Sequence, residues 1–100
     1  MLLEALVACA GVTLGAVATA LGIELRDATL TAEGDLDFRG TLGVDKAAPV
    51  GFQAIRLNIA VDTDASDEAL DSLFKLTERY CVVYQTLARP PALVVERQRR

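Results

Sequence analysis

The chain has 100 residues, of which 52% are hydrophobic, and its formal net charge of −4 corresponds to a sequence pI of about 4.6. The hydrophobic content excludes intrinsic disorder, and two cysteines are too few for a disulfide-stapled scaffold. The acidic balance argues against nucleic acid as a partner, and the lack of histidine excludes a Ser-His-Asp triad and an HExxH zinc site. The length predicts one domain over residues 1–100.

The first predicted element is a helix within the charge-free stretch of residues 5–23. This stretch is as long as a membrane span, but it is rich in Ala and Gly, and neither Trp nor Tyr marks its ends. It does not fit a signal peptide, because Glu4 precedes it and no Lys or Arg does. We therefore predict a helix buried in the core and no membrane partner, with a membrane or export segment as the alternative.

Two later stretches alternate between apolar and polar residues, which is typical of β-strands with one buried face. The first covers residues 28–39 and the second residues 55–62, with a long loop over residues 40–51 between them. Because one face of each strand is polar, we predict an antiparallel sheet that is exposed to solvent on one side.

The C-terminal half begins with a second predicted helix. Ser66 is a typical N-cap, and apolar residues recur with helical spacing over residues 70–80. A bend is expected near Cys81, followed by a helical segment over residues 82–88 and a last strand over residues 92–96. The predicted order is therefore α-β-β-α-α-β, which is an α+β fold.

These elements do not suffice to cover a helix that is apolar on every side. Three strands and one amphipathic helix leave part of its surface open to water. The missing cover must come from a second subunit, from N-terminal sequence that this chain lacks, or from both.

Cys9 and Cys81 are the reactive side chains that stand out in the sequence. They form neither a CxxC motif nor a zinc ligand set, so we predict no metal and no cofactor. Cys9 lies inside the first helix, and Cys81 lies at the predicted bend. If Cys81 begins a helix, free N–H groups there would favour its thiolate, and Arg79 could add to this effect. A packed and inert thiol is the alternative for both cysteines.

The sequences around the two cysteines form recognisable motifs. Residues 2–14 read LLEALVACAGVTL, and residues 78–87 read ERYCVVYQTL. The first is similar to the LLxALxxC helix motif of the OsmC/Ohr family, and the second resembles that family's second-cysteine motif, CPVxxTL. Residues 34–40 and 50–55 resemble the strand regions that lie between these motifs. In order, the segments cover nearly the whole chain.

The resemblance implies an OsmC-like fold, in which an antiparallel sheet packs around a buried central helix and a second helix and is completed by an intertwined homodimer. It also implies the reduction of organic hydroperoxides in the cytoplasm. In the family, the first cysteine attacks the peroxide and becomes a sulfenic acid, and the second condenses with it into a disulfide that a dithiol reductant reopens. By this resemblance Cys9 is the catalytic, peroxidatic thiol and Cys81 is the resolving thiol.

The sequence departs from the family in two places. Only eight residues precede Cys9, so the family's N-terminal strands, with their activating Arg and acidic residue, have no counterpart. A thiol without such a cation is mostly protonated at pH 7, and we therefore expect weak peroxidase activity. In addition, Val82 stands where proline is usual. The alternative function is a non-catalytic OsmC-like binding or dimerisation module.

Overall fold

The structure is a computed structural model, and it describes residues 1–99. It contains four helices and two strands within those residues. In chain order they are α1 (Leu2–Leu21), β1 (Asp27–Asp35), α2 (Phe38–Thr41), β2 (Ala54–Asp62), α3 (Asp67–Tyr80) and α4 (Val82–Ala88).

The helix α1 buries one stripe of side chains against α3, α4 and β1. The buried residues recur every four positions, so that they lie on one side of the helix; they are Leu6, Ala10, Leu14 and Ala18. The helix ends at Gly22, whose φ of 71° is left-handed and whose N–H donates to the Thr19 carbonyl at 3.2 Å. By length and composition, α1 is also apolar enough to cross a membrane.

The outer side of α1 is open within one chain. Val12, on this side, is 77% exposed, and only four of the twenty residues of the helix are buried. The predicted burial is therefore confirmed for the inner stripe alone. This agrees with the expectation that the elements of one chain cannot cover α1.

The strands β1 and β2 form a two-stranded antiparallel sheet, as predicted. Asp27 pairs with Asp62 at one end of the register and Asp35 with Ala54 at the other. The alternating apolar residues of both strands pack toward α1. On the open side, Arg56 binds the Asp35 carboxylate with two hydrogen bonds of 3.0 Å.

The first strand is shorter than its alternation predicted. It ends at Asp35, because the Asp37 side chain accepts a hydrogen bond from the Arg39 N–H at 3.0 Å and caps the short helix α2. The apolar and polar residues of that turn continue the alternation by coincidence. A cap two residues after the strand therefore decides where β1 stops.

The helices α3 and α4 follow the prediction closely. The Ser66 hydroxyl accepts a hydrogen bond from the Ala69 N–H at 3.2 Å, as an N-cap should. Leu73 and Thr77 form the buried face of α3. At Cys81 the backbone leaves the helix, with φ −75° and ψ 111°, and α4 begins at the next residue.

The last predicted strand is wrong. Residues 92–96 have no regular secondary structure, and Leu93, Val94 and Val95 are each more than four-fifths exposed. A strand needs a neighbour to pair its N–H and C=O groups, and within residues 1–99 the sheet consists of β1 and β2, which pair with each other. Among residues 1–99 the order is therefore α-β-α-β-α-α.

Candidate thiol active site

The two cysteines meet where α1 passes the bend between α3 and α4. Cys81 forms a small buried cluster with Leu6 and Ala10, and Cys9 packs against this cluster from α1. Each thiol shifts the pKa of the other, that of Cys9 downward and that of Cys81 upward. Both cysteines are free thiols. The fold thus brings together the two residues that the sequence singled out.

The Cys81 thiol is held in the interior by its backbone. Its side chain is 1% exposed, its N–H donates to the Thr77 carbonyl at 3.0 Å, and its carbonyl accepts from the Gln85 N–H at 3.0 Å. Burial raises the pKa of this thiol, and the hydrogen bond and negative charge of Cys9 raise it further. Cys81 is therefore a thiol, not a thiolate, at neutral pH.

This result corrects the hypothesis that the helix start favours a Cys81 thiolate. Cys81 is the N-cap of α4, but desolvation outweighs the N–H groups of Tyr84 and Val83, which lower its pKa. Arg79 is not among the groups that shift the Cys81 pKa, and its guanidinium lies 5.6 Å from the centre of the Tyr80 ring. The sequence located the helix start correctly but assigned its effect to the wrong cysteine.

The Cys9 thiol has the opposite character. Cys9 is half-buried, and its pKa is lowered first by the Val83 N–H and then by the Cys81 thiol. The Val82 N–H and the Thr13 hydroxyl lower it less, and burial opposes all of them. The first N–H groups of a helix have no carbonyl partner within it, so the start of α4 is free to stabilise a negative sulfur.

This environment changes the expectation of an unactivated thiol. The sequence contains no counterpart of the activating Arg, which implied an ordinary thiol pKa. In residues 1–99, however, hydrogen bonds lower the pKa of Cys9 and no cation is among the causes. The sequence analysis did not consider the backbone N–H groups at the start of α4 as donors to Cys9. Val82 stands where proline is usual, and it supplies one N–H group that proline lacks.

Two surface cavities lie near the two cysteines. The first, about 440 Å³, lies between α1 and α3 and starts one turn after Cys9; its lining is mostly apolar and includes Val12, Thr13, Ala16, Leu76 and Tyr80. The second, about 410 Å³, lies beside Cys81 and includes Arg79 and Arg89. Within residues 1–99, no group of three or more Cys, Asp or Glu side chains could hold a metal ion.

Solved structures of OsmC-like proteins share this fold. An OsmC-like protein from Mycoplasma pneumoniae is 21% identical, with a TM-score of 0.76 over 89% of this chain and 60% of its own. An OsmC-like hydroperoxide resistance protein from Jannaschia sp. CCS1 is 16% identical, with a TM-score of 0.69 over 89% of this chain and 57% of its own. The chain thus spans about three-fifths of the length of each. No curated protein matches its sequence.

These similarities confirm the α+β fold with the OsmC-like arrangement that the motifs implied. The family model described as OsmC-like protein matches residues 1–96, which includes both cysteines, both strands and all four helices. The match extends over almost the whole sequence and takes in the apolar helix α1. The chain belongs to the OsmC-like protein family.

Proposed function

We propose that the protein reduces organic hydroperoxides with its two thiols, Cys9 attacking the peroxide and Cys81 resolving the product. The observation that carries the proposal is that a half-buried Cys9, whose pKa is lowered, packs against the cluster that contains the buried Cys81. The similarity to a hydroperoxide resistance protein supports the same chemistry. A lowered pKa at Cys9 does not favour the alternative of a non-catalytic module, in which the thiol would be inert.

In the first step the Cys9 thiolate attacks the terminal oxygen of the hydroperoxide. A sulfur–oxygen bond forms as the oxygen–oxygen bond breaks, and the departing alkoxide takes a proton and leaves as an alcohol. Cys9 is oxidised to a sulfenic acid, and the peroxide is reduced. The thiolate is the reactive form of cysteine, and the hydrogen bonds from Val83 and Cys81 favour it.

In the second step the Cys81 sulfur attacks the Cys9 sulfur. A disulfide forms, and the hydroxyl of the sulfenic acid leaves with one proton as water. A small dithiol then reduces the disulfide by thiol–disulfide exchange and is itself oxidised to a disulfide. Cys9 is the more exposed of the two sulfurs, and it is the one that the dithiol attacks first. A reducing compartment such as the cytoplasm keeps both thiols available.

The expected substrate class is argued from the cavity between α1 and α3, which starts one turn after Cys9. Its lining offers aliphatic and aromatic surface from Val12, Leu76 and Tyr80 and one hydroxyl from Thr13. An alkyl group gains free energy from contact with such a surface, whereas hydrogen peroxide has none to bury. We therefore expect organic hydroperoxides to react faster than hydrogen peroxide.

A homodimer is part of the proposal. The chain exposes 7742 Å² of surface, whereas a compact protein of this mass exposes about 5,500 Å². The difference is larger than the roughly 800 Å² that each partner buries in a standard interface. The open side of α1 accounts for part of this surface. Sedimentation equilibrium tests the proposal: we expect a dimer, and a monomer at micromolar concentration would contradict it.

The test of the function is hydroperoxide consumption by three forms of the protein. With a small dithiol present, the wild type consumes tert-butyl hydroperoxide over many turnovers, and Cys9→Ser does not exceed the background rate. Cys81→Ser completes the first reduction but turns over slowly, because its sulfenic acid lacks a resolving thiol. Equal rates for the wild type and Cys9→Ser would overturn the assignment of Cys9.

A further inference from the structure

The bend between α3 and α4 carries basic side chains that no acidic side chain neutralises. The three arginines in the first 60 residues each bind at least one carboxylate at 3.0 Å or less. Lys75, Arg79 and Arg89, by contrast, form no ion pair within residues 1–99. The chain as a whole has a net charge of −4, so this group of uncompensated cations is a local exception.

These side chains line two adjoining cavities at the bend. The cavity of about 410 Å³ beside Cys81 and a second cavity of about 570 Å³ share three lining residues, which are Arg79, Gln85 and Arg89. The Gln85 side chain is fixed there, because its amide donates to the main-chain carbonyl of Glu78 at 2.8 Å. Together the two linings contain three cations and one carboxylate, that of Glu78. This combination favours an anionic ligand.

The cavity beside Cys81 and the apolar cavity between α1 and α3 differ in charge. Cys81 and Val82 belong to the lining of the first, together with its two arginines. The apolar cavity starts one turn after Cys9 and has no charged residue in its lining. The two meet at Tyr80, which lines both. The apolar cavity suits the alkyl group of a hydroperoxide, and the basic one suits a second, anionic reactant.

We propose that the two cavities lined by Arg79 and Arg89 bind the anionic group of the dithiol that reduces the Cys9–Cys81 disulfide. This inference deepens the proposed function and rests on it. The reductant is then a small dithiol that carries a carboxylate. A guanidinium group suits this ligand, because its planar N–H donors can bind a carboxylate through two parallel hydrogen bonds.

The anionic group takes no part in the exchange itself. One thiolate of the dithiol attacks the disulfide, so that a mixed disulfide forms and one protein thiolate leaves and takes up a proton. The second thiol of the reductant then attacks the mixed disulfide, which releases the other protein thiol and closes a cyclic disulfide. In sum, two hydrogen atoms pass from the dithiol to the protein. The arginines raise the concentration of the reductant at the bend by charge attraction.

The experiment compares two dithiols that differ in charge, 6,8-dimercaptooctanoate and its neutral amide. The protein disulfide is formed with diamide, so that no peroxide is present, and its reduction is followed by trapping the free thiols. The readout is the ratio of the second-order rate constants, carboxylate over amide. We expect this ratio to fall about two- to fivefold in Arg89→Gln and further when Arg79→Gln is added. High salt should lower the ratio of the wild type in the same direction.

Arg97→Gln is the matched control. It removes the same charge from an exposed side chain that lines neither cavity, and its ratio should equal that of the wild type. An unchanged ratio in the double variant would overturn the proposal. An equal fall in Arg97→Gln would also overturn it, because the effect would then come from net charge. Because the protein disulfide is still reduced in either case, these results leave the proposed peroxidase activity standing.

The anionic group could instead belong to the peroxide, and a second pair of probes distinguishes this source. Consumption of a fatty acid hydroperoxide is compared with that of its methyl ester. If Arg89→Gln lowered this ratio and left the dithiol ratio unchanged, the assignment to the reductant would be wrong.

Binding can also be measured without any thiol chemistry. Octanoate has the carboxylate and the chain of the dithiol probe but no sulfur, and octanamide is its neutral counterpart. In the reduced protein, octanoate at millimolar concentration should shift the NMR signals of the Arg79 and Arg89 Nε–H groups, and octanamide should not. Equal shifts with both compounds, or none with octanoate, would overturn the proposal. This measurement contains neither peroxide nor disulfide, so its failure is distinguishable from failure of the hydroperoxide assay.

Discussion

The two ends of α1 are built from nearly the same parts and behave differently. At the cysteine end, defined by Leu6, Ala10 and Cys81, the helix packs against the α3–α4 bend. At the opposite, C-terminal end, defined by Leu14, Ala18 and Leu73, the helix packs against the continuous part of α3. In both places α1 contributes one Leu and one Ala, four residues apart.

The difference lies in the partner helix. Along the continuous part of α3 the backbone N–H groups bond to carbonyls of the same helix, and only side chains meet α1. At the bend, the N–H groups of Val82 and Val83 are free to bind the sulfur of Cys9. A break in a helix thus turns an ordinary packing contact into a site with its own chemistry.

The largest expected effect comes from one substitution made at each end. Leu6 and Leu14 are 2% and 1% exposed, and replacing either by Ala should cost about 2–5 kcal/mol in the free energy of unfolding. Urea denaturation checks this loss. Only Leu6→Ala should also change the alkylation rate of Cys9, because only Leu6 packs beside the two sulfurs.

Leu14→Ala is the matched control for that effect on the thiol. It removes the same side chain from the same face of the same helix, two turns away. If both variants changed Cys9 reactivity alike at equal stability, the contrast between the two ends would be lost.

A smaller effect is expected at the start of α3. The Ser66 hydroxyl accepts the Ala69 N–H, and Ser66→Ala should destabilise the protein by about 1 kcal/mol. Ser72→Ala is the control, because Ser72 is exposed in the middle of the same helix, where Ala is the better helix former. Thermal unfolding of the two variants measures the difference. A loss of similar size in Ser72→Ala would argue against the cap.

The smallest effect concerns the ion pairs at the ends of the sheet. Arg26 binds Asp62 and Asp64 at 2.7 Å each, and its hydrogen bond and charge lower the pKa of the Asp62 carboxyl. A carboxyl whose pKa is lower in the folded state stabilises the protein above the pKa of its unfolded form. That contribution is lost as the pH falls through the folded-state value, from about pH 4 downward.

Arg26→Gln should therefore make stability depend less steeply on pH in the acid range, as measured by urea midpoints. Both partners are largely exposed, so we expect a small effect that high salt weakens further. Lys46→Gln, which removes an exposed charge outside the ion pairs of residues 1–99, serves as the reference. If the urea midpoints of both variants depended on pH in the same way in the acid range, the role of Arg26 would be contradicted.

Sequence patterns predicted much of the fold. The spacing of apolar residues identified α1, α3 and both strands, and Ser66 marked the start of α3 correctly. The bend at Cys81 was also predicted. The sequence further predicted that the elements of one chain would leave part of α1 uncovered. These features depend on local periodicity and capping, which a sequence displays directly.

The errors have a common physical cause. Residues 92–96 have strand-like composition, but a strand forms only where a neighbour pairs with it, and composition does not supply one. The sequence suggested a lowered pKa for Cys81, whereas the structure lowers the pKa of Cys9 and raises that of Cys81. This outcome depends on which sulfur is buried and which one accepts from the free N–H groups of α4. Both are consequences of the tertiary arrangement, which local patterns do not encode.

The most direct test of the central claim is the product of a single turnover. The fully reduced protein is treated with one equivalent of tert-butyl hydroperoxide and analysed by mass spectrometry without reductant. We predict one equivalent of alcohol, a chain lighter by two hydrogen atoms, and a disulfide-linked pair of peptides containing Cys9 and Cys81. Unconsumed peroxide, with both thiols still free to alkylate in urea, would contradict the account.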